Sequence, residues 1–232
     1  MQILESSIVG LRSAVIPLRR RGSPMRILLF PMVHVAEPAF YQDVGARLLD
    51  CHIVVAEGIR GESTPVSFLT MAYRCTPHNR RLGLIVQKLD VDALPVPVIR
   101  PDMTGPDFTK GWRRLPLRER AWVALLVPIV AAISLLAGSR AHVGDLLALD
   151  HDPPTAAEEA AERLPELHAL VRTRREALLV EALSALHAEH GHEPIDVAVV
   201  YGAAHMPAVV TAMAARHGYL PRQAEWLTVF EY

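Results

Sequence analysis

The chain has 232 residues, 51% of them hydrophobic, and its formal net charge is −1. This composition excludes an intrinsically disordered chain, and the near-neutral charge gives no field that would attract nucleic acid. The only cysteines, Cys51 and Cys75, are too few for a disulfide framework, and the first residues carry no secretory-signal pattern. A single domain over residues 1–232 in a reducing, cytoplasmic compartment is therefore predicted.

Short apolar runs alternate with helical patterns along the chain. The β-branched or apolar runs predict strands, and the runs rich in Ala, Leu, Glu and Arg predict helices. Strands are predicted at residues 25–30, 52–57, 96–100 and 195–202, with an edge strand at 226–232. Helices are predicted at 37–50, at 155–190 with a restart near Pro165 and a stop at Gly191, and after residue 205. This alternation predicts an α/β fold with a mostly parallel central sheet flanked by helices.

Residues 121–138 are apolar throughout and about as long as the shortest membrane-spanning helices. A basic, Trp-bearing stretch precedes them, and Pro128 is expected to kink or break the helix. The sequence predicts that this segment packs in the protein or docks in a membrane surface. A homodimer interface, or a roof over a cleft for an apolar peptide, is left open.

Metal-binding or proton-transferring side chains follow four of the predicted strands. They are His34, Glu57, Asp102 and His205, in chain order. Because ligands bind beyond the carboxyl ends of parallel strands, these side chains are expected to converge on one cleft. Imidazoles and carboxylates together suit a divalent ion such as zinc, cobalt or manganese. A single membrane crossing by residues 121–138 would separate His205 from His34 and Glu57, so a shared site argues against such a crossing.

The order of several motifs is similar to that of the TraB/PrgY family, which includes the Tiki proteases. FPMVHVAEPAFYQDV and CHIVVAEGIRG resemble its opening, and Gly202 to His205 matches its second Gly-x-x-His motif. RPDMTGPDFTKGWRRLPLRERAW resembles its Asp-centred stretch. LVRTRREALLVEAL resembles its Glu-Arg-Asn/Asp helix and places Arg174 on the family's arginine. The resemblance covers residues 25–215 and implies the fold shared with erythromycin-esterase-like and haem-iron-binding ChaN-like proteins.

The resemblance implies a metal-dependent hydrolase that cleaves a peptide or amide bond with a metal-activated water. His34, Glu57, His205 and, more weakly, Asp102 would be metal ligands or lie beside the metal. Glu57 is alternatively the general base, and Arg174 would stabilise the oxyanion or hold a substrate carboxylate. Two other classes stay open, namely a non-catalytic protein that sequesters peptides and a membrane-associated scaffold.

Four places depart from the family pattern, and one of them is Pro207-Ala208, which stands after the second His motif where glycine is usual. Pro31 stands where the first motif has glycine, Thr173 where the helix motif has Glu, and Arg175 where it has Asn or Asp. Pro31 predicts a different backbone geometry in the turn, because it fixes φ where glycine is permissive. These departures put the substrate and the activity in question more than the fold.

Overall fold

The computed structural model describes residues 2–71, 82–136, 139–149 and 162–232. Within them, helices flank both faces of one mixed β-sheet, which confirms the α/β class. The strands of this sheet are β1 (Leu4–Ser7), β2 (Gly10–Arg19), β3 (Arg26–Met32), β5 (Ile53–Ala56), β7 (Val98–Ile99), β8 (Asp196–Gly202), β9 (Leu220–Pro221) and β10 (Glu225–Glu231). A separate two-stranded ladder joins β4 (Val35–Ala36) to β6 (Ile85–Val86).

The parallel half of the sheet positions the residues that follow each of its strands. Its order is β3-β8-β5-β7, with β3 and β5 on either side of β8. The other half is antiparallel, since β2 pairs with β3, and β1, β9 and β10 all pair with β2. The sheet is thus mixed rather than mostly parallel. The amino-terminal strands that cause this difference were not predicted, whereas the carboxy-terminal strand β10 was.

The helices begin and end at residues with recognisable capping roles. Ser63 and Thr104 each accept a hydrogen bond from a backbone N–H in the first turn of the helix that follows. Gly218, with φ of 72°, ends the last helix in the left-handed conformation. The helices are α1 (Pro38–Leu48), α2 (Thr64–Leu69), α3 (Gly105–Arg114), α4 (Leu117–Leu136), α5 (Arg140–Leu149), α6 (Pro165–His168), α7 (Arg174–His190) and α8 (Met206–His217). A π-helical turn, Ala169–Thr173, leads directly into α7.

The two faces of the sheet bury separate apolar layers. Along β8, Val197 and Val199 pack with residues of α7 and α8, whereas Ala198 and Val200 pack with residues of α1 and α5. This alternation follows from the two-residue period of a strand. Both layers require β8 to be apolar at successive positions, and every residue of the strand except Gly202 is buried. The buried central strand therefore fixes the position of the loop that follows it.

The predicted apolar helix is present as α4, and residues 137 and 138 lie outside the described part of the chain. The helix is not buried on all sides. Val123 and Ala131 are buried against the protein, whereas Trp122 and Leu125 keep 54% and 56% of their surface exposed. In the part of the chain that the structure describes, no helix is both long and apolar enough to span a membrane.

Candidate active site

Three carboxyl ends of parallel strands bring acidic and basic side chains together. Glu57 directly follows β5, Asp102 lies shortly after β7, and His205 ends a 3-10 turn after β8. The backbone N–H of Glu57 donates to the Val200 carbonyl, and the N–H of Gly202 donates to Glu57 Oε2 at 2.6 Å. The parallel pairing of β5 with β8 thus fixes the Glu57 carboxylate beside the turn that carries His205.

Arg175, in the first turn of α7, joins the two carboxylates. Its Nη2 donates to Glu57 Oε1 and to Asp102 Oδ2, each at 2.6 Å, and its Nε donates to Asp102 Oδ1 at 2.8 Å. Asp102 also accepts from the N–H groups of Gly58 at 3.1 Å and Met103 at 2.8 Å. The Asp102 side chain is fully buried and that of Arg175 is 12% exposed. Such a two-pronged guanidinium–carboxylate contact is strong and directional.

The charge of Arg175 keeps both carboxylates ionised. Although burial would raise it, the pKa of Glu57 is held below its usual range by Arg175, by His205 and by the Gly202 N–H. Burial likewise opposes ionisation of Asp102, but the hydrogen bond and charge of Arg175 hold its pKa below the usual range. Glu57 is consequently a weak base at neutral pH and a fixed negative charge.

His205 lies between two carboxylates. Its Nδ1 is 3.3 Å from Glu176 Oε1, and its Nε2 is 3.8 Å from Glu57 Oε1. Arg172 donates its Nε to Glu176 at 2.9 Å and a further N–H to the Ala204 carbonyl. Although burial would raise it, the pKa of Glu176 is held low by the hydrogen bonds from His205 and Arg172. An ionised carboxylate only accepts hydrogen bonds, so Nδ1 carries a proton in its contact with Glu176.

The predicted site residues are only partly brought together. Glu57, Asp102 and His205 share the cluster, and Arg175 rather than Arg174 is its arginine. Arg174 is exposed, because one step along a helix turns a side chain by about 100°. His34 is half-buried in the turn between β3 and β4, where its carbonyl accepts the Gln87 N–H.

Pro31 does not lie in a turn. It pairs with Tyr201 within the β3–β8 ladder, and its carbonyl accepts the hydroxyl of the buried Ser13 at 2.7 Å. The expectation of a different turn at this position is therefore corrected, since the departure from glycine falls inside a strand. Thr173 is exposed at the end of the π-helical turn, away from the carboxylates that Arg175 binds.

Arg175 lies between the Glu57 and Asp102 carboxylates. Its Nη2 is equally close to Glu57 Oε1 and Asp102 Oδ2, so these two oxygens already bind a cation. Among the described residues, no group of three or more His, Cys, Asp or Glu side chains is arranged to hold a metal ion. Binding of a divalent ion by His34, Glu57, Asp102 and His205 stays a prediction.

The residues that the sequence interpretation missed are Arg172, Arg175 and Glu176. A signal for them exists in the helical pattern. Residues three or four apart share a face of a helix, and Arg175 precedes the fully buried Leu179 by four positions. Charged side chains that lie on the same helix face as buried apolar residues indicate a polar cluster at the end of the hydrophobic core.

A basic groove lies along the segments that follow Glu57 and Asp102 in the chain. It has a volume of about 600 Å³, and its lining residues are Glu62, Ser63, Thr64, Pro106, Thr109, Lys110, Arg113 and Arg114. The two segments are held together by the N–H of Gly105, which donates to the Arg60 carbonyl at 2.7 Å. Pro106 is four residues after Asp102, so their Cα atoms are at most about 15 Å apart.

No protein-family model, no curated protein and no solved structure matches this chain. The similarity to the TraB/PrgY family therefore stays a prediction from the motifs.

Proposed function

We propose that the protein is a hydrolase that cleaves a peptide or amide bond at the junction of His205 and Glu57. The observation that carries this proposal is the position of His205 between two ionised carboxylates. Glu176 binds Nδ1 and so fixes the ring and its tautomer, whereas Nε2 faces Glu57 across 3.8 Å. That separation is too long for a direct hydrogen bond, and in the proposal a water bridges the two atoms.

In the proposed reaction, His205 is the general base. Nε2 takes a proton from the bridging water, and the water oxygen attacks the carbonyl carbon of the scissile bond. The imidazolium that forms lies between the negative charges of Glu57 and Glu176, which stabilise it. Nε2 then gives the proton to the leaving nitrogen as the carbon–nitrogen bond breaks. No step in this scheme passes through a metal ion.

Arg175 and Asp102 act on this reaction as positioning residues. Arg175 holds the Glu57 carboxylate in place and keeps it ionised, and Asp102 fixes the guanidinium through two of its nitrogens. Asp102 is in turn held by two backbone N–H groups from different loops. The network therefore ties Glu57 to the sheet and to α7 at the same time, which is the rigidity that a catalytic carboxylate needs.

The basic groove supports a substrate that carries acidic groups. Lys110, Arg113 and Arg114 line it and, among the described residues, none of them forms an ion pair with a carboxylate. A peptide whose carboxylate enters this groove would place its backbone toward His205. The proposed substrate class is accordingly an acidic peptide or a peptide cleaved near its carboxyl end.

The test is digestion of a defined peptide pool by purified wild type and by His205→Gln, followed by mass spectrometry. His217→Gln is the matched control, because the His217 ring instead contacts Ser184 on the distant α7–α8 surface. Loss of a general base lowers the rate by about 10²- to 10⁴-fold, whereas His217→Gln is expected to cleave normally. Tight binding of peptides by the wild type without cleavage would favour the sequestering alternative and contradict the proposal.

A further inference from the structure

One side of α4 exposes a continuous apolar stripe, called here the α4 face. Its residues are 40–56% exposed and recur at the three- and four-residue spacing that aligns side chains along a helix. They are Trp122, Leu125, Leu126, Ile129, Val130 and Ile133. Val123 and Ala131, on the opposite side of the helix, are buried against the protein. The helix is therefore attached along a narrow line, and its wide apolar side faces outward.

The size of the α4 face argues against a partner protein as its main occupant. From the surface that large apolar side chains bury, the face exposes on the order of 500 Å². Each side of a stable protein interface contributes about 800 Å². A second copy docked on this helix alone would bury too little surface for a stable dimer. A lipid bilayer, in contrast, can bury the apolar side of a single amphipathic helix.

A positive charge lies at the amino-terminal end of the α4 face. Arg118 is four residues before Trp122 and so shares its side of the helix. Arg118 is exposed, and within the described residues it contacts no carboxylate. Tryptophan with arginine at the edge of an apolar face is the pattern of helices that lie in the headgroup region of anionic membranes.

We propose that α4 docks into the surface of an anionic phospholipid bilayer, with its axis parallel to the membrane plane. Strands from before and after α4 in the chain, β5 and β8, pair in one sheet, so both ends of the helix stay on the same side of the bilayer. The apolar side chains enter the outer acyl region, and Arg118 contacts lipid phosphates. This docking is independent of the proposed hydrolase activity, which a soluble assay measures.

The experiment is flotation of the full chain with vesicles of phosphatidylcholine mixed with phosphatidylglycerol, and with phosphatidylcholine alone. Wild type is expected to float with the anionic vesicles and less with the neutral ones. The double variant Leu125→Glu/Ile129→Glu is expected to lose roughly 10- to 100-fold in partitioning, because charge enters the apolar region of the interface. Arg118→Gln should weaken binding only to anionic vesicles.

Leu49→Glu is the matched control, since Leu49 is 55% exposed and Leu125 is 56% exposed, but Leu49 lies at the end of α1. It should float like wild type, and circular dichroism should show that all variants are folded. Wild type that stays with the unbound fraction, or a double variant that floats normally, overturns the proposal. The proposal is also overturned if light scattering shows a wild-type dimer that Leu125→Glu converts to a monomer. The α4 face would then be a contact between two copies of the chain.

Discussion

Replacement of Arg175 by methionine removes the cation from a buried ionic cluster and leaves its carboxylates behind. Four hydrogen bonds are lost, two to Asp102, one to Glu57 and one to the Val171 carbonyl. The backbone N–H groups that bind the two carboxylates remain, but the charges become uncompensated. Breaking a buried pair by removing one partner costs about 3–5 kcal/mol of unfolding free energy. For a chain of this length that corresponds to a melting temperature roughly 6–20 °C lower.

The assay is urea denaturation at neutral pH of wild type, Arg175→Met and Arg174→Met. Arg174 is exposed and next to Arg175 in the sequence, so Arg174→Met controls for loss of one positive charge and should change stability by no more than about 0.5 kcal/mol. Equal destabilisation by the two variants, or a cost below about 1 kcal/mol for Arg175→Met, would refute the assignment of Arg175 to the carboxylates.

The same variants differ in their response to acid. In wild type, Glu57, Asp102 and Glu176 have pKa values below their usual ranges. Such groups stabilise the fold above their unfolded pKa of about 4, and that stabilisation is lost as the pH falls through the lower folded pKa. Without Arg175, burial instead favours the protonated carboxyl groups. The stability difference between wild type and Arg175→Met should therefore shrink as the pH is lowered below about 5, and a constant difference would contradict this account.

Three further changes have defined outcomes. Gly105→Ala places a Cβ 2.5 Å from the Glu62 carbonyl oxygen and should cost about 1–3 kcal/mol in denaturation experiments. Gly45→Ala in α1 places a Cβ in ordinary contact with Leu89 Cδ1, at 3.5 Å, and should stabilise by about 0.5–1 kcal/mol. If Gly45→Ala destabilised the protein more than Gly105→Ala, the close approach of Gly105 to the Glu62 carbonyl oxygen would be contradicted. Burial raises the pKa of the Cys51 thiol to about 11, so mass spectrometry should find it unmodified by iodoacetamide at pH 8 in native protein and modified in urea. Arg113→Gln should raise KM for acidic peptides about two- to fivefold with kcat unchanged, and an equal effect on neutral peptides would exclude the groove from substrate binding.

Much of the parallel half of the fold could be predicted from the sequence. The runs that became β3, β5 and β8 are β-branched and apolar, and a strand buried on both faces needs such a run. The long β2 escaped prediction because Arg12, Ser13 and Pro17 interrupt its apolar pattern. Its pairing with strands from the far end of the chain is a tertiary feature, which no local pattern contains.

The candidate site was predictable in Glu57, Asp102 and His205, because each follows a strand that local sequence identifies. The predicted arginine, Arg174, is one residue away from the arginine of the cluster, Arg175. The motif was matched by residue type, without regard to the face of the helix on which each arginine lies. Arg174 shares its face with Leu178, which is 42% exposed, whereas Arg175 shares its face with the buried Leu179.

The proposed centre depends on a guanidinium, not a metal ion, beside Glu57. Elemental analysis of purified wild type, paired with peptide cleavage after treatment with a chelator, tests this most directly. The account predicts less than stoichiometric zinc, cobalt or manganese, and cleavage that the chelator leaves unchanged. One tightly bound metal ion per chain that disappears in His205→Gln, together with activity restored only when that metal is added back, would contradict it.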